Sequence, residues 1–143
     1  MSRRKAREIL LQLLFQWDFR PVSPEELLAE AGAGAEIPIE DEDGYIRRTL
    51  EGVLAHREEI DRIIAEKAVG WKLERLVSVD RSILRLAIYE LLYSDIPGEV
   101  VINEAVELSK KYSTEHSHIF INGILDRVWK EHRDETASRD ERE

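Results

Sequence analysis

Apolar side chains recur every three or four residues along most of the chain, with charged side chains between them. This spacing is typical of one face of an α-helix, and no stretch of the sequence shows the alternation typical of a half-buried strand. The pattern predicts an all-α fold with about seven helices. They fall at residues 3–19, after Pro24, around Tyr45, at 57–68, at 79–93, and on either side of a polar break at 112–117.

Residues 79–93 are apolar around nearly the whole helical circumference. A helix with no polar face is buried among other helices, so this segment is predicted to be the centre of the fold. Arg85 lies within it. Because buried charges are normally paired, we expect Arg85 to form a structural ion pair, with Glu104 as a candidate partner.

The first predicted helix has a side that does not fit a simple core-facing helix. One arc is apolar and faces the core, whereas Arg4, Arg7, Leu11 and Phe15 fall together on the opposite side of the helical wheel. This side has two interpretations. It is either a solvated basic face with two isolated apolar residues, or a surface on which cations neutralise phosphates and an aromatic ring stacks on an unpaired base.

The charge distribution favours a polyanionic partner in spite of the net charge of −9. Residues 1–20 contain five basic and two acidic groups, whereas residues 21–44 contain eight acidic groups and neither Lys nor Arg. A polyanion responds to the local potential, so a basic N-terminal arm can bind it on an acidic chain.

The residues that carry catalysis or hold cofactors are not arranged in recognisable motifs. With 143 residues, one domain is expected, and there are no cysteines. His116 and His118 are two residues apart and point to different sides of a helix, and neither a phosphate loop nor a nucleophile elbow is present. Residues 41–44 lack the ligand spacing of a calcium loop. The sequence therefore predicts a binding protein without cofactor or metal, not an enzyme.

The remaining composition limits the location and extent of the domain. No apolar run approaches the roughly 20 residues of a membrane span, so we expect a cytoplasmic protein. From Lys130 onward most residues are charged, and such a segment cannot bury enough apolar surface to order itself. We expect the last helix to fray near Arg133, which gives one helical domain at 1–133 and a disordered tail at 134–143.

Phe120 stands out in the second half of the chain. The apolar stripe of the last helix is formed by Ile121, Ile124, Leu125 and Val128, and Phe120 lies roughly a quarter turn from its centre. A large aromatic side chain at the rim of a core stripe, just after a polar break, is available to contact a partner.

Three blocks of sequence resemble the NusB family of bacterial transcription antitermination factors. The blocks are Arg-Arg-Lys-Ala-Arg-Glu at 3–8, Val-Asp-Arg-Ser-Ile-Leu-Arg-Leu-Ala-Ile-Tyr-Glu-Leu at 79–91, and Ile-Asn-Glu-Ala-Val-Glu-Leu at 102–108 followed by Ser-His-Ile-Phe-Ile-Asn-Gly-Ile-Leu-Asp at 117–126. Their order and spacing match over most of residues 2–130. The resemblance implies two packed three-helix bundles plus an N-terminal helix.

The resemblance also implies a function. NusB proteins bind boxA, a short single-stranded RNA element of ribosomal RNA leaders, as a heterodimer with NusE, a protein of the small ribosomal subunit. The complex joins RNA polymerase and other Nus factors and suppresses premature termination. The matching positions for RNA contact are Arg3, Arg4, Lys5, Arg7, Phe15, His116 and Phe120. Those for NusE are Phe15, Glu74 and Asp80, whose acidic groups suit a basic ribosomal protein.

Two positions depart from the family pattern. Family members can carry an acidic residue at the position of His116, where it would repel phosphate, whereas histidine can donate a hydrogen bond. We therefore hypothesise that His116 makes RNA binding less dependent on NusE. Ile119 stands at a basic position of the family pattern, and this departure could reduce RNA affinity instead; on the sequence alone, the larger of the two effects stays open.

Two alternatives remain open on the sequence alone. The chain could be a NusB-like adapter in ribosomal RNA maturation. It could also be a protein–protein scaffold in which Leu11 and Phe15 close a homodimer across the first helix and cover the RNA face.

Overall fold

The computed structural model of the chain describes residues 1–34, 41, 43–68 and 76–142, with the side chains of 32–34 and 139–142 left out. All regular secondary structure in these ranges is α-helical, which confirms the predicted all-α class. Seven helices are described: α1 (Arg3–Phe19), α2 (Pro24–Gly34), α3 (Tyr45–Ala55), α4 (Arg57–Lys67), α5 (Ser78–Tyr93), α6 (Gly98–Tyr112) and α7 (Ser117–Arg142). None of them is both long and apolar enough to cross a membrane.

Helix α5 is the centre of the fold, as its all-round apolar pattern predicts. It packs against α1, α3, α4, α6 and α7, and Ile83, Leu84 and Ile88 are completely buried. Helices α5, α6 and α7 contact one another, and so do α1, α2 and α3. Because α1 also lies along α5, it joins the two groups.

Serine side chains fix the starts of the first two helices. Ser2 Oγ accepts a hydrogen bond from the Lys5 amide (3.1 Å), and Ser23 Oγ accepts one from the Glu26 amide (3.2 Å). Each satisfies an amide that has no partner within its helix. Helix α2 then continues to Gly34 through alternating alanine and glycine residues; alanine is the best helix former and offsets the cost of glycine.

The partner of Arg85 is not Glu104, so that expectation was wrong. Arg85 Nη1 donates to Asp18 Oδ1 (2.8 Å) and its Nε donates to Asp61 Oδ1 (2.8 Å). The guanidinium thus connects α5 to α1 and α4. Glu104 is bound by Arg4 instead.

Asp18 holds the end of α1 on the start of α5. It accepts hydrogen bonds from Ser78 Oγ and Arg81 Nη2, each at 2.6 Å, in addition to Arg85. Burial opposes the charged form, but the hydrogen bonds from Ser78, Arg85 and Arg81 outweigh it and lower the pKa of Asp18 to about 2. The carboxylate is therefore ionised across the physiological range.

Helix α7 runs to Arg142 and does not fray near Arg133, so the expected helix end was wrong. Ion pairs one turn apart, such as Lys130 with Asp126 (2.9 Å), support a charged helix that has little to pack against. Residues 134–138 are exposed. The assignment of 134–143 to a tail outside the domain stays a prediction.

Candidate nucleic-acid interface

The predicted basic arm forms the exposed first turn of α1. Arg4 donates from Nη2 to Glu104 Oε1 (3.0 Å) and from Nε to Oε2 (3.2 Å), which ties it to α6. Arg3 pairs with Asp43 (3.2 Å), and its guanidinium lies 3.9 Å from the centre of the Tyr45 ring. The arm is therefore anchored to the body of the protein while its cations remain accessible to solvent.

Arg7 does not belong to this exposed surface, which corrects its predicted placement. Only 5% of the residue is exposed. Its Nε donates to Glu90 Oε1 (3.0 Å), and the Tyr45 hydroxyl donates to Glu90 Oε2 (3.0 Å). Burial and the adjacent Glu90 carboxylate raise the pKa of Tyr45, so its hydroxyl remains a donor. A helical wheel places Arg7 opposite the core, but α3 and α5 cover that side of α1.

Leu11 is buried as well, with 5% exposure, so its predicted place on an open face of α1 was wrong. Phe15, by contrast, is half-buried and reaches the surface. Its ring meets that of Phe19 edge-on, with centres 5.0 Å apart.

Phe19 is 70% exposed and was missed in the sequence. The available signal was its position four residues after Phe15, which places both rings on one side of α1.

His116 and Phe120 come together at the start of α7, as the sequence predicts for a shared surface. His116 is exposed, and Phe120 is half-buried against the core. They line a cavity of about 300 Å³; the other lining residues are Leu76, Val77, Asp80, Thr114 and Ser117.

Asp80 serves the fold of this region. It is 6% exposed, and its two oxygens accept hydrogen bonds from Ser113 Oγ (2.5 Å) and Ser117 Oγ (3.0 Å). These serines flank the turn between α6 and α7, so Asp80 fixes that turn against α5. The placement differs from the outward orientation that the resemblance implies. Glu74, the other acidic position, lies outside the described residues.

A second cavity, of about 380 Å³, lies between α1, the start of α5 and the end of α6. Its lining residues are Lys5, Glu8, Ile9, Leu11, Gln12, Phe15, Val79 and Tyr112. Lys111 donates to Glu8 Oε1 (2.7 Å) and so connects the end of α6 to α1. Consecutive residues of the first turn of α5 contribute to the two cavities, since Val79 lines this one and Asp80 lines the other. Of the predicted RNA-contact residues, Lys5 and Phe15 line this cavity, and His116 and Phe120 line the other.

The chemistry of this region is that of binding. It combines arginine and lysine cations, aromatic rings and hydrogen-bonding side chains. Among the described residues, no group of three His, Asp or Glu side chains could hold a metal ion.

Comparisons with known proteins show the family. Residues 4–130 match the model of the NusB family. The transcription antitermination protein NusB of Symbiobacterium thermophilum is 45% identical, over 98% of this chain and all of that protein. NusB of Acidothermus cellulolyticus is 50% identical over 87% of this chain and 84% of that protein.

Solved structures give the same result. A crystal form of T. maritima NusB superimposes with a TM-score of 0.82 at 42% identity, covering 92% of this chain and 93% of that one. A crystal structure of the antitermination factors NusB and NusE in complex with double-stranded RNA contains a chain with a TM-score of 0.76 at 34% identity, covering 91% of this chain and 98% of that one.

Proposed function

The chain belongs to the NusB family, and on that premise we propose that it is an RNA-binding transcription antitermination factor that binds boxA RNA as a heterodimer with NusE. The observation that carries the proposal is the accessible cationic arm of α1, together with a cavity lined by Lys5 and Phe15 and a second cavity lined by His116 and Phe120. Arginine and lysine bind the phosphates of a single strand, and aromatic rings stack on its bases.

The RNA contacts that we assign follow the exposure of the side chains. Arg3, Arg4 and Lys5 bind phosphates because they are cationic and exposed. Phe15 and Phe120 offer partly exposed rings, and His116 offers a hydrogen-bond donor. Arg7 is buried and stabilises the fold: it pairs with Glu90, which also binds Tyr45, and the ring of Tyr45 contacts Arg3 of the arm.

The protein partner binds beside the RNA. Phe19 and Val77 are exposed apolar side chains. The hydrogen bond between their chain neighbours, Asp18 and Ser78, brings the end of α1 to the start of α5. Exposed apolar side chains that lie close together are typical of a protein interface. We assign this surface, with Phe15, to NusE. RNA polymerase and other Nus factors are further partners of the assembled complex.

A homodimer is the second candidate. Leu11 is buried and has little surface to offer, so the contact would use Phe15 and Phe19. Because Phe15 also borders the RNA region, this dimer and the RNA complex would exclude one another. It would act as a storage form.

The proposed function is tested by titrating labelled boxA RNA, and a scrambled RNA, at two salt concentrations with and without NusE. We expect specific binding that is tighter with NusE and weaker at higher salt, because phosphate contacts release counterions. Arg4→Gln should flatten the slope of log affinity against log salt by about 0.7. Arg47→Gln is the matched control, since Arg47 is also an exposed arginine paired with a glutamate. Equal, weak binding to both RNAs that NusE does not change would contradict the proposal.

A further inference from the structure

The cavity between α1 and the end of α6 has the size and lining of a small-ligand pocket. Its volume of about 380 Å³ lies within the range of such sites, roughly 300–1,000 Å³. Ile9, Leu11 and Val79 supply apolar surface, and the rings of Phe15 and Tyr112 supply aromatic surface. Polar groups come from Lys5, Glu8 and Gln12. A mainly apolar pocket with a few polar groups is suited to a flat heterocyclic ring.

Glu8 is the negatively charged acceptor at the pocket, and two lysines pair with it. Lys111 Nζ donates to Glu8 (2.7 Å) and Lys5 Nζ lies 3.8 Å from it. The hydrogen bond from Lys111, helped by one from the Tyr112 hydroxyl, lowers the pKa of Glu8 against the effect of burial. An ionised carboxylate repels phosphate and accepts hydrogen bonds from amino groups. Glu8 can therefore accept a hydrogen bond from the amino group of a base, while the neighbouring arginines outside the pocket can bind phosphates.

The position of the pocket fits a base of a strand that lies along the arm. Arg4, Glu8 and Gln12 follow one another at intervals of four residues, so they line one side of α1. A strand whose phosphate is held by Arg4 has the pocket within reach of a neighbouring nucleotide. The two lysines beside Glu8 carry positive charge, which attracts the negatively charged strand to the entrance of the pocket.

We propose that this pocket takes one unstacked base of the bound RNA, with its ring against Phe15 and Tyr112 and an amino group directed at Glu8 and Gln12. The base is adenine, cytosine or guanine, because uracil has no amino group. The proposal rests on the proposed RNA-binding function and adds to it the part of the protein that reads one base.

The test uses boxA RNA in which each nucleotide in turn is abasic, titrated against the wild-type protein and Tyr112→Ala. Loss of stacking on one base weakens binding by about tenfold. We expect one abasic position to weaken wild-type binding by about that factor. Tyr112→Ala should weaken the binding of intact RNA by about the same factor. When that position is abasic, Tyr112→Ala should weaken binding no further. Tyr93→Ala is the matched control: Tyr93 is 43% exposed and Tyr112 44%, and Tyr93 lies on another surface.

The reading of the base is tested with Gln12→Ala. Uracil at the identified position should weaken wild-type binding, and Gln12→Ala should reduce that discrimination. Gln16→Ala, an exposed glutamine one turn further along α1, should leave it unchanged. Thermal unfolding of each variant shows that the fold is retained.

Three outcomes would overturn the proposal. If no position couples to Tyr112 while the wild-type protein still distinguishes boxA from scrambled RNA, the pocket holds no base although the proposed function stands. If Tyr112→Ala weakens only the binding of NusE, the pocket receives a protein side chain. If the wild-type protein shows no specific RNA binding either alone or with NusE, both proposals fail together.

Discussion

At position 116, a histidine stands at an exposed turn. If the proposed RNA contacts hold, a carboxylate at this position would lie close to bound phosphates. Two unit charges about 4 Å apart in water interact with about 1 kcal/mol. We predict that His116→Asp weakens binding of boxA RNA about fivefold in the absence of NusE. Filter binding or fluorescence anisotropy measures this directly. His132→Asp is the control, because it makes the same change far along α7; unchanged affinity in His116→Asp would contradict the hypothesis.

Phe120 is half-buried, so a change there affects both packing and RNA contact. We predict that Phe120→Ala loses about 1–3 kcal/mol of RNA affinity through lost stacking and also lowers the melting temperature. Phe120→Leu keeps most of the apolar contact and separates the two effects. It should retain stability but lose RNA affinity; if it retains both, Phe120 acts only in packing.

Arg4 and Arg7 provide a further comparison of surface and core roles. Arg7→Ala leaves the Glu90 carboxylate buried without its cation, and we predict a loss of about 3 kcal/mol in unfolding free energy. Arg4→Ala breaks an exposed pair and should cost less than about 1 kcal/mol, while it weakens RNA binding. Urea unfolding and RNA titration of both variants measure the contrast. Equal stability of the two variants would be inconsistent with the Arg7–Glu90 pair in the core.

The surroundings of side chains on α1 and α5 depend partly on neighbouring helices that are distant in sequence. The helical wheel correctly gave the core-facing side of α1, and it placed Phe15 at the surface. It failed for Arg7 and Leu11 because a wheel describes one helix and does not tell which sides the neighbouring helices cover. The partners of Arg85 were missed for a related reason, since Asp18 and Asp61 are far from it in sequence.

At the level of elements, the anchor between α1 and α5 depends on the charge of Asp18. A carboxyl group whose pKa is lowered on folding stabilises the fold above its unfolded pKa, about 3.9. That contribution is lost as the pH falls toward the folded value of about 2. From this difference in pKa it amounts to about 2 kcal/mol.

We predict that Asp18→Asn lowers the unfolding free energy by about 3 kcal/mol at neutral pH, since it leaves Arg85 and Arg81 short of a counter-charge. The difference from wild type should stay constant above about pH 4 and shrink between pH 4 and 2. Denaturant unfolding across this range measures it. Asp126→Asn, at an exposed pair on α7, should show a small difference at all pH values. A difference for Asp18→Asn that does not change with pH would contradict this account.

The helices themselves were predictable because their signals are local. Periodicity and the polar break at 112–117 gave the existence and order of the seven described helices. The end of α7 was not predictable in this way. The low apolar content after Lys130 predicted fraying, but charged residues can also support a helix through ion pairs along it.

For the molecule as a whole, the extent of the packed domain can be tested by shortening α7. We predict that ending the chain after Arg133 changes the unfolding free energy by less than about 0.5 kcal/mol, because residues 134–138 are exposed. Ending it after Asp126 removes the buried Val128, and also Trp129, which lies against Gly98; this should cost several kcal/mol. Thermal and denaturant unfolding compare the two, and RNA titration shows whether the shorter chain still binds.

The pairing of Arg4 with Glu104 has a consequence for how fast RNA can be captured. A guanidinium has five N–H donors, and Glu104 occupies two of them. Three donors remain for a phosphate, so the strand can be added to the existing pair and need not displace it. Binding then requires no contact of the arm to break first. The side chain of Arg4 is already oriented by Glu104 before the strand arrives, so its rotational freedom was lost on folding and not on binding.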